Sequence, residues 1–258
     1  MYIDTHAHLN FKAFNADYDE AIDRAFKAKV SGIINVGSNL KTSKKAIAIA
    51  EKYSKKVYAA VGLHPIHVKD ESFNEDFFEE LAREKKVIAL GETGLDYYYD
   101  RASTELQKEV FRKIIKIAQK ISKPLILHSR DAGTDVLSVL MEEKTEIRGV
   151  MHCFQENWQF ARVILDMGLY LSFTGLITFS KNQPTFEVIK NAPLERILIE
   201  TDCPFMTPEP HRSQGVKRNE PAYVIEIAKK IAEIKKIPLS KVAQQTSENA
   251  IELFKLKK

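Results

Sequence analysis

Eight short apolar segments recur along the 258-residue chain, each separated from the next by an amphipathic stretch. They read YIDTHAHL, GIINVG, VYAAVGLH, VIALGET, PLILHS, GVMHCF, LYLSFTG and RILIETD. Several are continuous apolar runs rather than alternating ones, as expected of parallel strands covered on both faces. The intervening segments carry the helical period. In STELQKEVFRKIIKIAQKI, for example, Val110, Ile114, Ile117 and Ile121 fall on one stripe. NWQFARVILDMG and PAYVIEIAKKIAEI follow the same logic, and SKVAQQTSENAIELFKL reads as a further helix after the eighth unit. In DYDEAIDRAFKAK, Asp17 and Glu20 have capping-box spacing. Eight strand–helix units without a break in composition predict a single (β/α)8 TIM barrel over residues 1–258. The alternative, an open doubly wound sheet, usually carries a glycine-rich phosphate loop, and neither GxGxxG nor GxxxxGK[ST] is present.

Charge narrows the function only slightly. Lys plus Arg is 39 against 35 for Asp plus Glu, a net +4 that permits a polyanionic partner without demanding one. No apolar run approaches the roughly 18 residues of a membrane span, and no basic-then-apolar leader opens the sequence. A cytoplasmic protein without membrane association is expected. Cys153 and Cys203 cannot build a disulfide framework. Each follows a polar strand-end residue by one position, so strand parity predicts two buried thiols facing the helix layer.

The unusual polar residues cluster at the C-terminal ends of the predicted strands. His6 and His8 end the first, His64 follows the third and Glu92 ends the fourth. His128, His152 and Asp202 end the fifth, sixth and eighth. In a barrel these ends converge on one rim, where active sites are built. A lone histidine in an apolar strand is more often a satisfied core residue than a ligand. Here the bland account needs six such coincidences at one end of the barrel. Imidazoles and carboxylates packed together without a positive centre are costly to desolvate, and divalent metal offsets that cost. Six ligands exceed the needs of one tetrahedral ion, so two ions are expected, with Glu92 as the bridging carboxylate. His6, His8 and Asp202 would hold one ion, and His128 with His152 the other. Imidazole-rich ligation favours Zn or Mn over Mg. Asp4 shares the face of His6 and His8 but lies deeper, as a supporting group.

Taken in order, the HxH of the first strand, GETGLDY, HSRDA, HCF and ETDCP resemble the TatD family of metal-dependent deoxyribonucleases. The resemblance runs from residue 3 to ENAIELF, and implies an amidohydrolase-like barrel. It implies His6, His8, Glu92 and Asp202 around one ion, and Glu92, His128 and His152 around the other. Related amidohydrolases often bridge their metals with a carbamylated lysine at the end of strand four; Glu92 stands there in this chain. The implied activity is hydrolysis of DNA phosphodiesters, often from the 3′ end of single strands. One departure is the loop PEPHRSQGVKRNEPAYV, which Ser213–Val216 lengthen by a few residues.

Around this core, Arg130 is a candidate phosphate contact, with a surface ion pair to Asp131 as the alternative. Arg212, Lys217 and Arg218 are candidate phosphate contacts in the loop after strand eight. Tyr97, Tyr98 and Tyr99 either stack a base or pack their loop down. Asp96 and Glu200 are expected to support ligands rather than bind metal, and His67 to lie on the surface. The expected reaction has two divalent ions (Zn, Mn or Mg) assisting water attack on a phosphodiester. Asp202 would orient the water and take its proton, with Glu92 bridging and His64 holding the phosphate or aiding the leaving oxygen. D-aminoacyl-tRNA deacylation, small-molecule amide hydrolysis and a non-catalytic nucleic-acid-binding scaffold are the alternatives.

Overall fold

Each apolar run forms a parallel strand because both of its faces find cover. The computed structural model describes residues 1–53, 56–143, 146–180 and 183–256. Its strands are β1 (Tyr2–Ala7), β2 (Val30–Val36), β3 (Val57–Val61), β4 (Val87–Asp96), β5 (Leu125–Arg130), β6 (Gly149–Met151), β7 (Tyr170–Phe173) and β8 (Ile197–Ile199). The helices are α1 (Tyr18–Lys27), α2 (Leu40–Lys52), α3 (Glu75–Arg83), α4 (Thr104–Ile121), α5 (Gly133–Glu142), α6 (Trp158–Asp166), α7 (Leu176–Phe179), α8 (Gln183–Asn191), α9 (Val224–Lys235) and α10 (Leu239–Phe254). The sheet order is β1 to β8 in sequence, every pair parallel, which is the TIM-barrel arrangement.

Parity sorts the strand residues into two buried sets. Ile34, Ala60, Ile126, Val150 and Leu198 form an inner cluster, closed by Ala250, Leu253 and Phe254 of α10. Ile33, Val61, Leu127, Met151 and Ile199 belong to the larger cluster that includes the surrounding helices. The inner set shares its parity with His128 of β5, and His152 and Asp202 follow just beyond β6 and β8, so the apolar interior gives way to polar groups at the strand ends. Val110, Ile114 and Ile117 of α4 are buried as the helical stripe requires. No helix among the described residues is long and apolar enough to cross a membrane.

The barrel seam closes at its C-terminal end, just past β8. The Asp202 N–H donates to the His6 carbonyl and the His8 N–H to the Cys203 carbonyl, both at 2.8 Å. Ala7 and Cys203 form a parallel bridge between them. This seam sets Asp202 beside the HxH pair, although almost two hundred residues separate them.

The start of α1 departs from expectation. Asp17 occupies the N-cap but makes no capping hydrogen bond, so the capping box is absent. Its carboxylate instead takes a two-pronged ion pair from Arg218, at 2.6 Å for each prong. The carboxylate's hydrogen bonds thus go to a cationic guanidinium instead of a neutral backbone N–H.

Candidate metal centre

Glu92 sits between two glycines, and both are required. Gly91 and Gly94 have φ of +143° and +144°, a region L side chains avoid, and a Cβ on either would strike the backbone of β5. Glycine at both positions lets β4 run hard against β5 and sets the Glu92 carboxylate over the barrel interior. Glu92 as a whole is 4% exposed.

Its two oxygens face different neighbours. Oε2 lies 3.4 Å from His6 Nε2 and 3.8 Å from His8 Nε2. Oε1 lies 2.7 Å from His128 Nδ1, 3.1 Å from His152 Nε2 and 3.3 Å from His64 Nε2. On the first side Asp202 Oδ1 is 3.3 Å from His8 Nε2 and 3.8 Å from His6 Nε2. The two ring nitrogens of His6 and His8 face each other at 3.1 Å. The structure thus brings His6, His8, His64, Glu92, His128, His152 and Asp202 to one place. A further group, His64 with Asp96 and His128, also converges closely enough to share an ion.

The donor set suits divalent metal. Nitrogen and oxygen ligands at about 2.0–2.2 Å from a tetrahedral ion sit roughly 3.3 Å from one another, and the separations here run from 2.7 to 3.8 Å. Two sets of such atoms share one carboxylate, and groups drawn from each converge closely enough to hold an ion. His6, His8, Glu92 and Asp202 would hold one; Glu92, His128 and His152 would hold the other.

A supporting layer orients these rings. The carbonyl of Val36 lies 2.8 Å from His8 Nδ1. Glu200 Oε1 is 2.9 Å from His152 Nδ1 and accepts the Cys153 N–H at 2.7 Å. Asp96 Oδ2 is 3.1 Å from His128 Nε2, while its Oδ1 accepts from the Tyr98 and Tyr99 N–H groups. Partners of this kind fix a ligand's tautomer and orientation. Asp4 lies beneath, accepting from the Thr201 N–H and hydroxyl and from the His6 N–H. Burial pushes its carboxyl up to about 8 despite those donors.

Electrostatics sorts the titrating groups without metal. Burial pushes His64 down to about 4, so it is neutral at pH 7. Its Nδ1 accepts the Ile66 N–H, which leaves Nε2 as the proton-bearing nitrogen aimed at Glu92. Burial also lowers His6. Burial opposes charge on His8, His128 and His152 too, but adjacent carboxylates outweigh it and raise all three. For Glu92, burial favours the neutral acid, yet His152, His64 and His128 together hold it well below its usual range. Metal must therefore displace protons from the raised imidazoles. Affinity for Zn is expected to rise as pH increases through neutrality, with protons released on binding. Calorimetry in buffers of different ionisation enthalpy checks this; pH-independent affinity between pH 6 and 8 would contradict it.

The outer candidates fare unevenly. Arg130 makes no ion pair with Asp131; its guanidinium lies over the Tyr98 ring at 3.9 Å and near Tyr99 at 4.8 Å. Tyr98 and Tyr99 are 59% and 65% exposed, whereas the Tyr97 hydroxyl is tied down to Asp135. Arg212 is exposed and covers the Phe179 ring. Arg212 and Lys217, with Gly215 and Val216 of the lengthened loop, line a cavity of about 560 Å³ beside Phe205. Arg218 differs, being occupied by Asp17, by the Ala13 carbonyl and by stacking on Phe14. It serves as a strap for the loop rather than a free phosphate contact. Arg218→Gln is expected to cost about 1 kcal/mol in a urea titration at pH 7. Arg218 holds the Asp17 carboxyl below its usual range. The strap's contribution is therefore present above the unfolded carboxyl value and lost as pH falls through the depressed one, so the gap between wild type and variant should shrink in acid.

Other expectations need correction. Cys203 is buried, but Cys153 is partly exposed and left-handed at φ +46°, which breaks strand parity. Its sulfur meets Thr174 and Met206 under the loop after β8, not the helix layer. His67 is half-buried rather than on the open surface, its ring centroid 6.4 Å from that of His64. Two aromatics lay outside the sequence reading. Phe11 stacks on His8 at 4.2 Å, and Phe205, 51% exposed, stands edge-on to both. Neither sits in an apolar run or at a strand end, so nothing in the sequence pattern singled them out.

Comparison with known proteins agrees with the barrel fold. The profile of the TatD related DNase family matches residues 3–255. The chain is 44% identical over 259 aligned positions to the uncharacterized metal-dependent hydrolase YabD of Bacillus subtilis, covering 99% of this chain and 100% of that one. Among solved structures, the TatD homolog YJJV of Escherichia coli K12 superposes with a TM-score of 0.90 at 30% identity, covering 99% and 98% of the two chains. An uncharacterized amidohydrolase from Saccharomyces cerevisiae shares the fold, with a TM-score of 0.84 at 21% identity over 98% and 99%. A barrel whose strand ends gather five imidazoles and two carboxylates, matched along nearly its full length, belongs to the TatD family of metal-dependent hydrolases.

Proposed function

We propose that the protein hydrolyses phosphodiester bonds of DNA, releasing nucleotides from 3′ ends of single strands with the help of two divalent ions. The observation that carries this reading is the Glu92 carboxylate, one oxygen toward each set of ligand atoms. The family profile's description as a DNase supports a nucleic-acid substrate. Exposed Tyr98, Tyr99 and Phe205, with the cations Arg130, Arg212 and Lys217, suit unstacked bases and phosphates.

When bound, the ions would lower the barrier by polarising the phosphate and acidifying water. The chain's own groups do the rest. Asp202 is held as a carboxylate, because the imidazoles around it outweigh its burial. It can orient an attacking water and accept its proton. His64, neutral with Nε2–H directed into the site, donates a hydrogen bond to a phosphate oxygen rather than acting as an imidazolium acid. Glu200 and Asp96 keep His152 and His128 turned inward.

The test is a substrate panel with metal-reconstituted protein: a single-stranded oligonucleotide labelled at its 5′ end, a duplex, a D-aminoacyl-tRNA and small amides. Stepwise shortening of the single strand from its 3′ end is expected to dominate. Faster turnover of the tRNA ester or of an amide would overturn the reading.

A further inference from the structure

A second cavity, of about 450 Å³, opens between the segments that follow β1, β2 and β3. Lys12, Lys41, Lys45 and His67 line it, together with Asn10 and Phe11, and no carboxylate does. Most other helix-borne cations have partners, such as Lys52 with Asp19 or Lys113 with Glu109. Lys12, Lys41 and Lys45 make no ion pair among the described residues; Lys45 meets only the Asn15 side-chain oxygen, at 2.5 Å.

Their placement is electrostatically unfavourable as it stands. Lys41 and Lys45 are like charges one turn apart, and Lys41 stands in the first turn of α2, where the helix dipole repels cations. Lys45 is half-buried, and burial together with the nearby Lys41 pulls its ammonium below the usual range. Glu71 takes the Leu40 N–H at the helix start but does not line the cavity. Asn10, 3% exposed, holds this wall in place by donating its side-chain amide to the Val36 and Thr42 carbonyls, each at 2.9 Å. The cavity adjoins the metal-binding cluster: Phe11, one of its walls, stacks on His8, and the Ser38 carbonyl, another, takes the His64 N–H at 2.8 Å.

We propose that this cleft holds backbone phosphates of the nucleic-acid strand beyond the scissile bond, with Lys12, Lys41 and Lys45 as their counterions and Phe11 separating cleft from reaction site. The proposal rests on the nucleic-acid reading above and adds a length requirement to it. A longer strand reaches the cleft; a small phosphodiester does not.

The experiment compares kcat/KM on a thymidine decamer with kcat/KM on bis(p-nitrophenyl) phosphate, across a salt series, using metal-reconstituted full-length protein. The Lys12→Gln/Lys41→Gln/Lys45→Gln triple variant is set against wild type. Lys116→Gln, an exposed position on α4, is the charge-matched control for single Lys41→Gln. The decamer-to-small-diester ratio is expected to fall roughly tenfold or more in the triple variant. The log–log salt slope for the decamer should flatten by about 0.7 per lysine removed. Single Lys41→Gln, at an exposed position, should show a smaller loss in the same direction, which guards against a folding artefact. An unchanged ratio and slope in both variants overturns the cleft while leaving the nuclease reading intact. Wild type that turns over the small diester but not the decamer sinks both.

Discussion

Replacing Glu92 with alanine is expected to strip the protein of both metal equivalents and to reduce hydrolysis by about ten-thousand-fold or more. The reason is geometric. One oxygen of this carboxylate serves the His6 and His8 side and the other serves the His128 and His152 side, so a single truncation removes a ligand atom from each set. It also leaves five imidazoles converging on a buried space without their shared anion, which lowers the proton affinity of the raised ones. Glu92→Gln separates the two halves. Its amide keeps one oxygen and turns an NH2 toward the other set, so at most one equivalent should remain. Elemental analysis of the purified variants, paired with a nuclease assay, reads both effects. Two retained equivalents in the alanine variant would contradict the shared-ligand account.

The second large effect is expected at Asp202, where asparagine is the informative substitution. The residue is left-handed at φ +52°, a region asparagine tolerates well and alanine does not. Asp202→Asn therefore preserves the backbone and volume while removing the group that can accept a proton. The expected outcome is a fall in kcat of about a thousand-fold, with KM changed only a few-fold and the His128–His152 side still able to hold its ion. Steady-state kinetics on an oligonucleotide checks this. A kcat within tenfold of wild type would mean that the proton goes elsewhere.

The barrel was legible because parallel strands covered on both faces leave continuous apolar runs, and eight of them alternate with helical stripes. The convergence of His6, His8, Glu92, His128, His152 and Asp202 was legible for a related reason. A charged or imidazole side chain at the end of such a run stands out, and all parallel strand ends share one rim. The loops were harder to read. β6 and β8 are only three residues long, so His152 and Asp202 lie beyond them, and strand parity no longer predicts where Cys153 points. Arg218 looked like a free cation, but its partner Asp17 lies 201 positions away in sequence. The same long-range pairing took Asp17 from the helix cap its neighbours suggested. Phe11 and Phe205 belong to this class too, since loop aromatics acquire meaning only when folding brings them against His8.

Anomalous diffraction from crystals grown with Mn or Zn tests the two-ion account most directly. It predicts two peaks flanking Glu92, one bounded by His6, His8 and Asp202 and the other by His128 and His152. A single peak, or a second peak seated instead among His64, Asp96 and His128, would contradict it.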